Sequence, residues 1–271
     1  MKKCKVLLTL LLTACIILLT PATVAAESAA TYTYTPSVNG AWVRTQDAYQ
    51  VTEVILQEIT LTQPQDMLVK NSILYIADSG SGKVVLYNLE TEEVTEWGVG
   101  DLSSPVGLFL TDDNQLYVAD NTAGEVVVFN ENGEVTKRYG RPTTATFGSD
   151  ATYRPSKLVV NESGTIYVVS EGSYDGMIQL DENGEFLGYF GYNNNPLTAW
   201  DYIADYFFTD EMKAQLTNRV PYSFKNAAID EKGMIYTVTQ SAEGNALKKH
   251  DVAGHNLLDD EMVDEVDFVD V

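Results

Sequence analysis

The chain has 271 residues, of which 39 are acidic and 17 are lysine or arginine, giving a formal net charge of −22. Hydrophobic residues make up 45% and aromatic residues 10%, so the chain has enough apolar surface for a core and is not disordered. The acidic excess disfavours a nucleic-acid partner or an anionic membrane surface, because both require clustered lysine and arginine.

The N-terminus predicts a secretory signal peptide. Basic residues at the start precede an apolar run over 6–19, and small residues follow up to Ala26. This order is typical of a signal peptide, and the run is too short for a comfortable membrane span. We therefore expect removal of residues 1–26, a mature chain without a transmembrane span, and a location that is secreted or at the cell envelope.

Both cysteines, Cys4 and Cys15, lie inside this segment, so the mature chain would form no disulfide. It would carry 14 basic and 39 acidic residues, a net charge of −25, because the segment holds three lysines and no acid. One alternative stays open. Leu12–Cys15 resembles the bacterial lipoprotein box, which would leave Cys15 as a lipid-anchored N-terminus.

Four similar segments follow one another along the chain, each centred on a tyrosine in a β-branched or aromatic run. Each segment holds four such runs separated by turn residues, and four strands in about 40 to 45 residues make one blade of a β-propeller. The sequence therefore predicts an all-β propeller over 51–271, preceded by an aromatic segment over 27–50. The predicted blades are 64–98, 105–140, 155–191 and 224–258.

Short acidic strings between the runs are predicted to be hairpin turns. Each begins with Asp or Asn, and most end with Gly, the residue that adopts positive φ most readily. The strings are too short to hold the spaced oxygen ligands of a calcium loop. They are Asp112–Asn114, Asn130–Gly133, Asn161–Gly164, Asp181–Gly184 and Asp230–Gly233.

The repeat resembles that of the NHL-repeat β-propellers. The match consists of a proline opening each of the first three segments, of Tyr-Ile-Ala-Asp and Tyr-Val-Ala-Asp strings ending at Asp78 and Asp120, and of aromatic-Gly endings. Over 64–258 the chain is similar to NHL-type propellers secreted by Gram-positive bacteria, often labelled gluconolactonase-like and six-bladed TolB-like. The family's Asn-x-Arg after the second strand is absent. The resemblance implies the fold and little about activity, because one fold hosts many functions.

The length is too small for six blades of this period. Val51–Ile55 resembles the outer strand that completes a last blade, and Val266–Val271 resembles the inner strand of a fifth. We therefore hypothesise an incomplete ring, in which the chain is a truncated product or gene fragment of a six-bladed parent. A closed ring completed by Val51–Ile55 would contradict this hypothesis.

One face of the predicted propeller has the longer loops, and binding residues concentrate in loops on a rigid scaffold. Its linkers lengthen along the chain to 140–154 and 191–223, whereas the turns of the opposite face stay short. Apolar spacing predicts a helical insertion over 196–220 that contains Trp200. We interpret it as helices that pack on the blades or, less simply, as an aromatic lid that stacks on a sugar ring.

The candidate ligand-binding residues lie on this longer face. They are Asp78, Asp120, Arg141, Tyr153, Arg154, Tyr174, Asp175 and Trp200. Each of the two strand-ending aspartates either contacts a ligand or accepts backbone hydrogen bonds from the following loop. The arginines either bind a ligand or serve as ion-pair partners in an acidic protein.

Catalytic motifs are scarce. No thiol remains after cleavage and no Gly-x-Ser-x-Gly elbow occurs, while His250 and His255 are poorly spaced for zinc and His250 is expected at the surface. The sequence therefore predicts a non-enzymatic binding module for a small molecule, a glycan or an envelope protein, with no cofactor. One alternative is a lactonase-type hydrolase that uses Ca²⁺ or Zn²⁺ in the central channel. Another is a scaffold that binds proteins without a pocket.

Overall fold

The computed structural model describes residues 32–37, 40–46, 54–191, 223–239 and 246–258. Contacts divide the chain into two compact units, Met1–Ile59 and Thr60–Val271. In the first unit an antiparallel hairpin joins β1 (Tyr32–Pro36) to β2 (Trp42–Gln46).

The hairpin of the first unit carries its aromatic side chains on one face. Tyr34 pairs with Arg44 and Pro36 with Trp42, and residues that pair across strands share a face of the sheet. The Cζ atom of Arg44 lies 3.4 Å from the centroid of the Tyr32 ring. Trp42 is 68% exposed. The aromatic segment predicted over 27–50 therefore contains an exposed hairpin.

The second unit holds four antiparallel sheets that follow the four predicted repeats. The first sheet contains β3 (Pro64–Lys70), β4 (Ile73–Asp78), β5 (Lys83–Asn88) and β6 (Val94–Trp97). The second contains β7 (Pro105–Leu110), β8 (Leu116–Asp120), β9 (Glu125–Phe129) and β10 (Val135–Tyr139). The third contains β11 (Pro155–Val160), β12 (Ile166–Ser170), β13 (Met177–Leu180) and β14 (Phe186–Phe190). The fourth contains β15 (Phe224–Ile229), β16 (Ile235–Thr239) and β17 (Leu247–His250).

The fourth sheet has three described strands, whereas the sequence predicted four. After β17 the chain makes a single antiparallel bridge between His250 and Asn256. The helix predicted over 196–220 and the strand predicted at 266–271 lie outside the described residues, and none of the described ranges contains a helix. Of the outer strand predicted at 51–55, the two residues that the structure describes do not lie in a strand.

The first strand of each sheet lies at the centre of the second unit. β3 contacts β7, β7 contacts β11 and β11 contacts β15. Sheets placed side by side in this way make a four-blade β-propeller, which confirms the predicted fold class. Each first strand has a bulge near its start, which bends and twists the strand. The irregular steps are Pro64/Asp66, Pro105/Gly107, Pro155/Lys157 and Phe224/Asn226.

Apolar clusters fill the spaces between neighbouring sheets. Between the first and second sheets, Ala77 and Val84 pack with Leu108 and Phe129. A second cluster joins Tyr117 and Val128 to residues of the third sheet, among them Leu158. A third cluster places Phe224 and Ile235 of the fourth sheet against the third. The second and third sheets therefore each bury one face against the sheet before and the other against the sheet after.

The hairpin turns form as predicted, with an Asx side chain capping the backbone. Asn130, Asn161, Asp181 and Asp230 each accept hydrogen bonds from backbone N–H groups two and four residues later. In the turn at 112–114 the cap is instead Thr111, whose Oγ1 accepts from the Gln115 N–H at 3.0 Å. These bonds lower the pKa of Asp181 and Asp230, because the backbone N–H groups stabilise the ionised carboxylate.

Candidate binding site on the upper face

The antiparallel order places two kinds of loop at the same end of each sheet. We call this end the upper face; it comprises the loops 79–82, 121–124 and 171–176 and the linkers 98–104 and 140–154. The short turns between first and second and between third and fourth strands lie at the opposite end, the lower face. All described candidates from the sequence lie at this end of the sheets, some exposed on the upper face and others buried beneath it.

Asp78 and Asp120 are fully buried and their carboxylates are occupied by neighbouring loops. Asp78 accepts from the N–H groups of Thr62 and Gln63, at 3.0 and 2.7 Å, and from the Ser81 hydroxyl. Burial favours the neutral acid, but these hydrogen bonds and the charge of Lys83 outweigh it, so the pKa of Asp78 is lowered.

Asp120 makes the same kind of contacts one sheet further on. It accepts from the N–H groups of Ser103 at 2.6 Å, Ser104 at 3.0 Å and Ala123 at 3.1 Å. Both carboxylates thus hold the preceding linker as well as the following loop. The third sheet has Ser170 at this position, and its Oγ accepts one bond, from the Arg154 N–H at 2.8 Å.

Arg141 organises the 140–154 linker. Its guanidinium donates to the carbonyl oxygens of Gly148 at 2.7 Å and Ser149 at 2.9 Å, and more weakly to that of Ala151. Its Cζ atom lies 5.0 Å from the centroid of the Phe147 ring. Most of its donors therefore point into its own loop.

Tyr153 lies in the core rather than at the surface. Only 6% of its surface is exposed, and its hydroxyl donates to the Tyr139 carbonyl at 3.3 Å. Burial raises the pKa of the Tyr153 phenol far above its usual value. In this position the side chain contributes packing between the second and third sheets.

Arg154 is the centre of an exposed polar cluster. Its Nη2 donates to the Asn121 Oδ1 at 3.0 Å and lies 3.3 Å from a carboxylate oxygen of Glu171. The Arg154 side chain is 59% exposed. Tyr174 and Asp175, in the same loop as Glu171, are also exposed. We call these five residues the upper cluster.

The upper cluster includes two residues that sequence reasoning missed, Asn121 and Glu171. Both follow the last residue of a second strand, and the N–H of each donates to the linker that precedes its sheet, at 3.0 and 2.9 Å. Ser79 repeats this bond in the first sheet. The repeat alignment alone would have found the shared position. Trp200, the remaining candidate, lies outside the described residues.

A second polar group, also missed from the sequence, lies at the centre of the propeller. The Asp66 carboxylate is 2.8 Å from the Lys157 Nζ, with about a quarter or less of each side chain exposed. The same carboxylate accepts from the Leu108 N–H at 2.8 Å. Asp66 therefore links the inner strands of the first three sheets. The sequence feature that could have revealed it is the position of Asp66 directly after the bulge of an inner strand, where the side chain faces the centre of the propeller.

His250 is buried, so the expectation of a surface histidine was wrong. It is 1% exposed and occupies the position that Tyr87, Phe129 and Leu180 hold in the other sheets. Its Nε2 lies 2.8 Å from the Thr237 Oγ1 and its Nδ1 lies 3.1 Å from the Gly254 carbonyl oxygen. Burial lowers the pKa of His250, and the nearby charge of Lys248 acts in the same direction.

Among the described residues, no group of three or more His, Cys, Asp or Glu side chains is arranged to hold a metal ion. Nor do they include a helix with the length and apolarity needed to cross a bilayer.

No protein-family model and no curated protein matches the chain. Solved structures share the fold. Hydrazine synthase from Kuenenia stuttgartiensis matches with a TM-score of 0.51 and 18% identity, over 78% of this chain and 52% of that one. Virginiamycin B lyase from Staphylococcus aureus matches with a TM-score of 0.47 and 9% identity, over 83% of this chain and 61% of the lyase.

A gluconolactonase from Xanthomonas campestris is a third example, with a TM-score of 0.47 and 14% identity over 76% of this chain and 61% of that one. The matches cover 52 to 61% of the length of these three proteins. At 18% identity and a TM-score of 0.51, the match to the hydrazine synthase supports the fold and not a shared activity.

Proposed function

We propose that this chain is an exported, NHL-type propeller of the kind that Gram-positive bacteria secrete, and that it binds its ligand without catalysis. The ligand is a small molecule, a glycan or an envelope protein, held at the upper cluster. The observation that carries this proposal is the exposed Arg154 guanidinium in contact with Asn121 and Glu171, with Tyr174 exposed in the same loop as Glu171.

The composition of the upper cluster favours a hydroxyl-rich ligand that carries a carboxylate. Arginine presents a planar fork of donors that matches a carboxylate, and the Asn121 amide both donates and accepts. A phenol ring such as that of Tyr174 offers an apolar face to a sugar ring. Among the ligand classes above, an acidic oligosaccharide matches these groups best.

The test is binding to immobilised oligosaccharides, with oligogalacturonate as the acidic probe and chito-oligosaccharide as the neutral one. We expect oligogalacturonate to bind, and Arg154→Ala to weaken it at least about tenfold, because loss of a charged contact costs about 1.5–3 kcal/mol. Lys137→Ala is the matched control, since it removes a cation whose Nζ contacts the lower-face turn at Glu182.

Two results would overturn the proposed site. One is binding that Arg154→Ala and Lys137→Ala weaken equally, which would indicate attraction by general charge. The other is no binding to any oligosaccharide, together with no retention of envelope proteins by the immobilised chain. The hydrolase alternative is tested on the same preparation by calorimetric titration with Ca²⁺ and Zn²⁺ and by opening of glucono-δ-lactone. Metal uptake with chelator-sensitive turnover would replace the proposal.

Export is tested by the intact mass of the mature protein. We expect a chain that begins at Glu27, because the small-residue site ends at Ala26. A mass that includes a diacylated Cys15 would favour the lipoprotein alternative. An intact Met1 in an expressing Gram-positive host would contradict both.

A further inference from the structure

The hairpin of β1 and β2 is a two-stranded sheet that the rest of the chain leaves exposed. All five residues of β1 and four of the five in β2 are exposed. Among the described residues, no third strand pairs with either of them. A hairpin of two strands is marginally stable in water, and a further strand along its edge stabilises it. The free edges of the hairpin are therefore places where another strand would bind.

The free edge of β1 presents the backbone groups of Tyr32 and Tyr34. The Ser37 N–H donates to the Ala41 carbonyl oxygen at 2.9 Å, so these two residues form a hydrogen-bonded pair of the ladder. Hydrogen-bonded and non-hydrogen-bonded pairs alternate along an antiparallel ladder. Tyr34 and Tyr32 lie three and five positions before Ser37 in the same register, so both belong to non-hydrogen-bonded pairs. Their N–H and C=O groups therefore point away from β2.

The sequence of β1 is complementary to itself. Residues 31–35 read Thr-Tyr-Thr-Tyr-Thr in either direction and contain no charged side chain. An antiparallel copy centred on Thr33 places Tyr32 opposite Tyr34 of the other copy, twice, and Thr33 opposite Thr33. Aromatic pairs and threonine pairs that lie directly opposite stabilise a sheet. The outward-pointing N–H and C=O groups of the tyrosines meet in the same arrangement, so each tyrosine pair exchanges two hydrogen bonds.

Other arrangements of two hairpins match less well. Centring the copies on Tyr34 would place Tyr32 opposite Pro36, which has no N–H to donate. Pairing two copies along the full length of β2 would place Arg44 opposite Arg44, and like charges at opposite positions destabilise a sheet. The distribution of charge therefore favours pairing through β1 and opposes further growth through β2.

We propose that two copies of this chain associate by antiparallel pairing of β1 with β1 of the second copy. The two hairpins then form one four-stranded sheet in the order β2-β1-β1-β2. The contact is isologous, with the twofold axis at Thr33. It uses residues of the hairpin only, so it stands or falls independently of ligand binding at the upper cluster.

The first test is the oligomeric state of the protein purified from an expressing host, by sedimentation equilibrium. We expect a dimer whose dissociation constant rises at least about fivefold in Thr33→Lys and in Thr33→Glu, because each variant places like charges opposite one another. An equimolar mixture of the two variants should recover the parent affinity, because the charges are then opposite in sign.

Thr45→Lys is the matched control for this test. Thr45 pairs with Thr33 within the hairpin, so it lies on the same face but one strand further from the axis. It should change the dissociation constant less than Thr33→Lys does. Three results would overturn the proposal: a monomer at all concentrations, equal effects of the two lysine variants, or a mixture as weakly associated as either Thr33 variant alone.

The second test locates the axis by disulfide formation in a Cys4→Ser, Cys15→Ser background. Thr33 and its copy form a non-hydrogen-bonded pair, whose Cα atoms lie about 4.5 Å apart, within the span of a disulfide. Thr33→Cys should therefore oxidise to a covalent dimer, and Thr45→Cys should remain largely uncrosslinked. Failure of Thr33→Cys to cross-link, or cross-linking of Thr45→Cys to the same extent, would contradict pairing through β1.

Ionic strength supplies an independent check. Each copy carries a formal net charge of −22, so two copies repel at long range. The paired strands are uncharged, so salt should screen the repulsion without weakening the contact. The dimer should therefore tighten between about 0.05 and about 0.5 M salt. Weakening with salt would mean that ion pairs, rather than β1, hold the copies together.

Discussion

The contact between the first two sheets and the contact between the last two involve equivalent strand positions. The side chains at these positions differ. Leu116 and Val118, on the face of the second sheet that is turned toward the first, lie in an apolar cluster. The fourth sheet replaces the position of Val118 with Thr237 and that of Phe129 with His250. Both substitutes are buried, at 0% and 1% exposed.

The upper ends of the sheets show the reverse contrast. Asp78 and Asp120 end the second strands of the first two sheets, and each holds a linker with several hydrogen bonds. The last two sheets have the neutral side chains of Ser170 and Thr239 there. A repeat therefore accepts buried polar groups when each finds a partner, and among these groups only the His250 imidazole belongs to a class that titrates between about pH 5 and 8, so the pH dependence in that range is expected in the half that contains the fourth sheet.

The largest effect is expected at the buried carboxylate of the second sheet. Asp120→Ala leaves the N–H groups of Ser103, Ser104 and Ala123 without their acceptor, and the free energy of unfolding should fall by about 3–4 kcal/mol. Ser170→Ala, at the same position of the third sheet, should cost about 1–2 kcal/mol because one backbone N–H loses its acceptor. Urea unfolding measures both free energies. Equal losses in Asp120→Ala and Ser170→Ala would mean that the second and third sheets hold their linkers equally strongly.

The close approach of the inner strands should produce the next largest effect. A Cβ at Gly107 would lie 2.3 Å from the Ser156 carbonyl oxygen of the neighbouring strand, so Gly107→Ala should destabilise the protein by about 2–3 kcal/mol. Gly140→Ala is the control, because a Cβ there meets no atom within 4 Å. Thermal unfolding measures both variants. If Gly107→Ala and Gly140→Ala lower the melting temperature equally, β7 and β11 do not approach each other as closely as the structure shows.

Acid should weaken the contact between the third and fourth sheets. The pKa of His250 is lower in the folded chain than the usual value of about 6.5, so the folded state disfavours protonation. The stability that neutral His250 contributes is complete above about pH 6.5 and is lost as the pH falls toward the lowered pKa. Unfolding free energies measured from about pH 7.5 to about pH 5 should therefore decline.

A double variant isolates this effect. Thr237→Val with His250→Leu introduces the apolar residue types that Val168 and Leu180 supply at the equivalent positions of the third sheet. Its stability at neutral pH should stay within about 2 kcal/mol of the parent, because both partners of the Thr237–His250 hydrogen bond are replaced and the Gly254 carbonyl oxygen loses its contact with His250. Its decline with acid should be smaller. His255→Ala, which changes the exposed histidine, should leave the decline intact. If the unfolding free energy of the double variant still declines with acid as in the parent, groups other than His250 cause the decline.

The smallest effect is expected at an exposed ion pair of the lower face. Lys70 and Asp112 lie 2.7 Å apart between the first and second sheets, and the Asp112 side chain is fully exposed. Asp112→Asn should shift the melting temperature by no more than about 1 °C, since water screens such a pair. A shift of several degrees would mean that surface charge, rather than the buried contacts, joins the sheets.

The sequence predicted the parts of the fold that repeat. The alternating apolar runs around Tyr75, Tyr117 and Tyr167 and the Asx-Gly turns are local signals, so the strands and hairpins could be assigned. Contacts between repeats were harder to predict. Asn121 meets Arg154 because two loops from different sheets converge, and Asp66 meets Lys157 across three inner strands.

The errors and omissions have the same origin. His250 was assigned to the surface because a histidine in a weak repeat carries no burial signal until it is aligned with Phe129 and Leu180. Arg141 and Arg154 look equivalent in sequence, and the structure separates them by their partners: one donates to its own loop and the other stands exposed between two sheets.

Hydrogen exchange compared between about pH 7.5 and about pH 5.5 tests most directly the claim that one half of the propeller is joined by protonation-sensitive contacts. After correction for intrinsic rates, the amides of β15, β16 and β17 should lose protection at the lower pH, while those of β7, β8 and β9 keep theirs. Equal loss in both sheets, or loss that begins in β7–β9, would contradict the account.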